Sequence, residues 1–224
     1  MEKIIIVGGG GHGKSVMGVV KKTGRYRILG YVDLKDQGTI LGVRYMGDDR
    51  QLPILLKRNP RCSAVLGVGY IAISPKRREL SKKLRELGFK LPVIVSPTAV
   101  VNEDVKLGEG TVVHDGVVVN SGTRMGEGVI VNNNSSIDND CQIGDFVHIA
   151  PGVTLSGGVA VGDFSILGVG STVVQYRTIG QNCIIGAGAA VVADCLKPGV
   201  YVGVPAKNRK HSVRSPIIFR RARV

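Results

Sequence analysis

From Val95 to Val191 an aliphatic residue occupies every sixth position, seventeen members without a gap. Val101, Val113, Met125, Ile137, Ile149, Val161, Val173 and Ile185 belong to the series. A period of six is neither the 3.6 of a helix nor the alternation of a sheet strand. It predicts a parallel β-helix built from hexapeptide repeats. A second period lies over the first. Gly108, Gly126, Gly144, Gly162 and Gly180 recur every eighteen residues, so three hexads make one triangular turn, with a corner whose backbone glycine permits. Two residues before the aliphatic positions stand small or β-branched residues: Ala99, Thr111, Val117, Ser135, Val147, Ser165 and Ala189. Both registers are expected to point into a narrow prism. Cys141, Cys183 and Cys195 share the small register, which makes them packing residues.

The first ninety residues follow another pattern. Ile4 to Val7 is a short apolar run, typical of a buried parallel strand, and a helix is expected from Lys14 to about Thr23. Arg27 to Val32 reads as a second strand, Asp49 to Arg58 as a helix, and Ala64 to Val68 as a third strand. Pro75 to Leu87 reads as a helix and Leu91 to Val95 as a strand leading into the repeat. Alternation of strands and helices predicts an α/β, Rossmann-like parallel sheet. The expected division is 1–93 for this domain, 94–206 for the β-helix and 207–224 for a basic tail.

Between the first strand and helix, Gly8, Gly10 and Gly13 match G-x-G-x-x-G, with Asp33 twenty residues beyond the third glycine. That is the dinucleotide fingerprint in its expected setting. Glycines let a phosphate approach the backbone, and a helix N-terminus favours its charge. The segment is too short for two mononucleotide halves, so one nucleotide-sized ligand is expected and NAD is not.

Charge modifies this picture little. The chain carries a net +13, but seven basic residues and no acid lie from Lys207 onward, and without them the balance is +6. A second basic cluster, Lys76, Arg77, Arg78, Lys82, Lys83 and Arg85, lies on an expected helix with few aromatics to stack bases, and reads as serving a phosphate-rich small ligand or as a solvated surface. Nucleic acid is therefore not the expected partner. The four cysteines show no CxxC spacing, which argues against a zinc site or a disulfide framework. No signal-like start and no long apolar segment are seen, so a cytoplasmic location without a membrane span is expected.

Taken together, residues 2 to 207 resemble the bacterial nucleotide-sugar N-acyltransferases of the left-handed β-helix superfamily, with the sialic acid O-acetyltransferases. The resemblance rests on Ile4 to Gly13, on Gly30-Tyr31-Val32-Asp33, and on the hexads. It rests also on Ile143 to Gly152 and on the closing Val202-Gly203-Val204-Pro205-Ala206-Lys207. It implies a left-handed coil, a homotrimer, and acetyl-CoA lying in the cleft between neighbouring coils. The reaction it implies is acetylation of the amine of a nucleotide-linked sugar of the 4-amino-4,6-dideoxy type, in surface-glycan biosynthesis, with no metal. By the same resemblance Gly10, Gly11, His12, Asp33 and Gly69 contact the nucleotide sugar. His148, Gly157, Gly168, Val169 and Ala187 contact the coenzyme, and Lys207 with the tail is available to its phosphates.

The chain departs from the family at one decisive place. The family's general base is a histidine followed by an acidic residue, and the matching positions hold Asn139 and Asp140. An amide donates and accepts hydrogen bonds but takes no proton near neutral pH. Three accounts stay open: a substrate-trapping variant, a member acting on an amine already deprotonated, or a protein that binds without catalysis. Tyr70 and Leu34 replace residues that are usually acidic or amide, which leaves the base of the nucleotide undetermined. His114 and His211 are expected at the surface. Sugar O-acetylation, NAD binding and a non-catalytic scaffold are the rival functions. A γ-type carbonic anhydrase is excluded, because Val153 stands where its second metal histidine would be.

Overall fold

The computed structural model describes residues 1–70 and 72–209. The expected basic tail lies outside the described residues from position 210 onward, and with it His211.

Strand β1 (Glu2–Val7) lies between β2 (Tyr26–Val32) and β3 (Ser63–Leu66), parallel to both. Helix α1 (Gly11–Lys22) connects the first pair; α2 (Leu52–Arg58), entered through a 3-10 turn at Asp49–Gln51, precedes β3; α3 (Lys76–Glu86) follows it. Successive side chains of a strand point to opposite faces. Ile4 and Ile6 pack with Val16, Met17 and Val20 of α1, in a cluster that also takes in Ile94 and Val112. Ile5 and Val7 face the other way, toward Leu52, Leu55 and Leu84 of α2 and α3. Both faces of β1 are covered, which is why the strand is apolar without alternation.

The expected entry strand Leu91–Val95 is divided. Lys90 makes one isolated bridge to Ser63, and Ile94–Val95 pairs with Val112–Val113 of the coil. Pro92, lacking an N–H, cannot continue a ladder between them.

From there the chain is a parallel β-solenoid with three faces of two-residue strands. Ladder partners lie eighteen residues apart, as in Ile130 with His148, Ser136 with Thr154 and Gln142 with Ala160. The sixfold aliphatic register fills the interior, with Val113, Ile137, Ile149 and Val191 fully buried. The small register is buried beside it, and its hydroxyls reach the following turn. Thr111 Oγ1 donates to Gly126 O at 3.0 Å, Ser135 Oγ to Ala150 O at 3.0 Å and Ser165 Oγ to Gly180 O at 2.7 Å. Cys141 Sγ makes the equivalent contact to Ser156 O at 3.4 Å. A buried polar group carries little cost once bonded, so Ser, Thr and Cys share one slot.

The eighteen-residue glycines serve close stacking, not a left-handed turn. A Cβ on Gly126 would lie 2.1 Å from Asp145 Oδ1, and one on Gly144 2.2 Å from Asp163 Oδ1. The left-handed corner residues belong to a separate sixfold register. It runs through Gly122, Gly128, Asn134, Asp140, Phe146, Gly152, Gly158 and Phe164, with φ between 52° and 75°.

The outward register explains how the two parts join. On the first face it reads Ile94, Val112, Ile130 and Ile166, all buried. On the third face it reads Lys106, Arg124 and Gln142, all exposed. The α/β domain covers the apolar face.

Candidate functional site

The carboxyl ends of β1, β2 and β3 open into a cavity of about 840 Å³, closed on its far side by Asn132 and His148 of the coil. Ligands of open α/β sheets bind at this edge. Helix α1 begins at Gly11, not at Lys14 as expected, so the glycine run supplies its first turn. Gly8 and Gly13 are required by packing: a Cβ on Gly8 would lie 2.8 Å from the Gly67 backbone, and one on Gly13 2.1 Å from Gly8 O. Gly10 and Gly11 have open space before them and line the cavity. No side chain caps the helix and no acidic residue stands in its first turn. Its free N–H groups therefore face the cavity with a positive dipole end. Asp33 holds the turn in place, its Oδ2 accepting from Gly9 N at 2.6 Å.

His148 is fixed at both nitrogens. Nδ1 lies 2.7 Å from Tyr70 O, a carbonyl that only accepts, so Nδ1 carries the hydrogen. Nε2 is then the acceptor for Asn132 Nδ2 at 2.9 Å. Burial pushes the imidazole's pKa down, the bond to Tyr70 opposes this, and Arg77 adds to it. Tyr70 is itself tied to the coil through its hydroxyl, which donates to Phe146 O.

Two residues read as surface are buried here. His114 is fully buried, with Ser15 Oγ 3.3 Å from its Nδ1 and its Nε2 unpartnered. The α/β domain lies over the coil face from which it projects. His114 and His12 stand with ring centroids 5.7 Å apart. His12 Nε2 is also buried without a partner, and burial, then the charge of Arg77, hold that ring neutral. Arg77, expected to meet a phosphate-rich ligand or solvent, is 2% exposed. Its Nη1 donates to Leu66 O at 3.1 Å and Val68 O at 2.6 Å, and its Nε to Gly128 O at 3.3 Å. It clamps the β3 end of the cavity to the coil. Burial lowers its pKa to about 10. The other cations of the cluster are at the surface; Arg85 pairs with Glu127 and Lys83 with Asp49.

The structure thus brings together Gly10, Gly11, His12, Asp33, Gly69 and His148, with Asn132 and Arg77 as additions that sequence reading missed. His148 lines the cavity with the glycine turn, and Gly157, Gly168, Val169 and Ala187 are not among its lining residues. Asn139 and Asp140 stand exposed on a corner after the second face, where Asn139 Nδ2 donates to Asp140 Oδ2 at 2.7 Å. Gly157 stacks on that corner: a Cβ there would lie 2.9 Å from Asn139 Oδ1. Gly168, Val169 and Ala187 form another corner, after the first face, where Gly188 N donates to Val169 O at 2.9 Å. No helix among the described residues is long and apolar enough to cross a membrane.

A parallel-sheet α/β domain seated on a hexapeptide coil defines a transferase of the hexapeptide-repeat class. Residues 3–84 match the PglD N-terminal domain and residues 122–157 the bacterial transferase hexapeptide (six repeats). One similar solved structure is a histidine-to-asparagine mutant of perosamine N-acetyltransferase from Caulobacter crescentus, in complex with CoA and GDP-perosamine. It has 37% identity and a TM-score of 0.88 over 94% of this chain and 98% of that one. Another is the acetyltransferase domain of PglB from Neisseria gonorrhoeae FA1090, with 34% identity and a TM-score of 0.84 over 93% of this chain and 100% of that one. UDP-N-acetylbacillosamine N-acetyltransferase of Bacillus subtilis (strain 168) is 30% identical over 115 residues, half of this chain and 51% of its own length. The match thus spans about half of that curated relative. The chain belongs to the family of nucleotide-amino-sugar N-acetyltransferases with a PglD-type N-terminal domain and a hexapeptide-repeat coil.

Proposed function

We propose that the chain transfers the acetyl group of acetyl-CoA to the amine of a nucleoside-diphosphate-linked 4-amino-4,6-dideoxy sugar, in the cytoplasmic stage of surface-glycan assembly. One observation carries this reading: a single cavity runs from the open N-terminus of α1 to His148 and Asn132 of the coil. A diphosphate on the glycine turn would direct the attached sugar to the coil. The volume suits a nucleotide-sized ligand. The sugar amine attacks the thioester carbonyl, an amide forms, the C–S bond breaks, and coenzyme A leaves with the proton.

Within one chain the cavity is lined by His148 but not by Asn139, Asp140, Gly157, Gly168, Val169 or Ala187. The reading therefore includes a homotrimer, in which a neighbouring coil completes each site, and the division into 1–93, 94–206 and a tail. Asn139 favours one alternative, binding without catalysis, since its amide takes no proton. The test is thiol release from acetyl-CoA with UDP- and GDP-4-amino sugars, checked by product mass. Acetylation of none of them refutes the activity, and a monomer in solution refutes the shared site.

A further inference from the structure

Helix α3 presents two faces. Arg77, Ser81 and Leu84, at i, i+4 and i+7, are buried against β3 and the coil. Lys76, Glu79, Leu80 and Lys83 line the cavity. Leu84 packs with Ile5 and Val7, on the sheet face opposite Ile4 and Ile6, while Arg77 of the same helix reaches the coil at Gly128 O. The cavity is lined by His148 and Asn132 on the coil side and by Lys76, Glu79, Leu80 and Lys83 on the α3 side. Of the charges at the α3 end, Lys83 is neutralised by Asp49 at 3.2 Å. Lys76 Nζ and the Glu79 carboxylate have no ion-pair or hydrogen-bond partner among the described residues, although i and i+3 share one side of a helix. Leu34, 83% exposed, also lines the cavity and offers an apolar surface.

We propose that Lys76 and Glu79 form the base-reading end of the cavity and select guanine. The inference rests on the nucleotide-sugar reading above and names its nucleobase. Guanine presents two adjacent donors, N1–H and the 2-amino group, beside the O6 acceptor. A carboxylate takes both donors together and an ammonium takes O6. Uracil places its one N–H between two carbonyls, so a carboxylate gains one bond and meets two oxygens. Adenine has a lone pair at N1, which a carboxylate repels. Leu34 and Leu80 supply apolar contact for the base.

The experiment is calorimetric titration of the full chain with GDP, IDP, UDP and ADP, for the parent and for Glu79→Gln. Glu79 is exposed and unpaired, so the variant keeps the parent's melting temperature. GDP is expected to bind at least about tenfold tighter than UDP or ADP, as a bidentate base contact provides. IDP, lacking the 2-amino group, binds more weakly than GDP in the parent and equally in Glu79→Gln. The variant weakens GDP about tenfold and UDP less than twofold. Equal GDP and UDP affinities in the parent, or equal losses for both in the variant, overturn guanine selection and leave the nucleotide site standing. Binding of no nucleoside diphosphate at all overturns the site itself and this inference with it.

Discussion

Acid is expected to loosen the junction between the two domains, and His114 gives the size of the effect. Burial lowers its pKa from 6.5 to about 4, against the opposing pull of Asp115. The unfolded chain then binds the proton more readily than the folded one. The contribution is fully present above pH 6.5 and is lost as pH falls toward 4. For that pair of values the loss is about 2 kcal/mol at pH 5 and about 3 kcal/mol at pH 4. His12 and His148, also lowered by burial, act in the same direction. Asp115 and Asp138 are held below 3.8 by their hydrogen-bond partners, so their share is lost only below that value. Of these five groups, the three histidines act first as pH falls from 7 to 5. For a chain of this length, about 2 kcal/mol corresponds to a melting shift of roughly 4–8 °C. The assay is calorimetric melting at pH 7 and pH 5 at one protein concentration, for the parent and for His114→Asn. The readout is the difference between the two drops, so any constant cost of the substitution cancels. The parent is expected to drop roughly 4–8 °C further than the variant. Equal drops would show that His114 is not a buried neutral imidazole.

Asn139→His should raise the rate of coenzyme A release by about 10² to 10⁴, the usual contribution of a general base; an unchanged rate removes the missing-base account. Two glycine substitutions separate stacking from backbone strain. Gly126→Ala places a Cβ 2.1 Å from Asp145 Oδ1 and is expected to cost about 2 kcal/mol or more in urea unfolding. Gly152→Ala, at φ +69° with open space around it, should cost about 1 kcal/mol. The reverse order would contradict close stacking as the reason for the eighteen-residue glycines.

The coil was legible because a sixfold inward register has no counterpart in a helix or an ordinary sheet, and Val113 to Val191 occupy it as expected. The start of α1 was not. Gly11 and Gly13 are poor helix formers, and the helix includes them because Gly13 packs on Gly8 and Gly67 where no side chain fits. Arg77 and His114 were misplaced for a shared reason: each is buried by the contact between the two domains. A helix pattern alone does not say which of six basic residues lies under a neighbour. The spacing of Arg77, Ser81 and Leu84 carried that information, since a buried stripe at i, i+4 and i+7 must include the arginine. Asn132 carried no signal of its own, because its role follows from the hydrogen that Tyr70 O fixes on His148 Nδ1.

The position of the cavity follows from the outward register as the coil follows from the inward one. Every eighteenth residue on the first face is Ile94, Val112, Ile130, His148, Ile166 and Ile184, five aliphatics and one imidazole. An apolar outward stripe on a coil is unfavourable in water and favourable under a second domain, which is why the α/β unit sits there. A histidine in that stripe forfeits apolar contact, and its two nitrogens need partners once covered. It finds them in Tyr70 O and Asn132 Nδ2, one from each domain. The exception to the stripe therefore marks the point where cover by the α/β domain is incomplete and the cavity reaches the coil. The same reasoning separates His148 from Asn139, which lies on an exposed corner after the second face, outside any stripe that this domain covers.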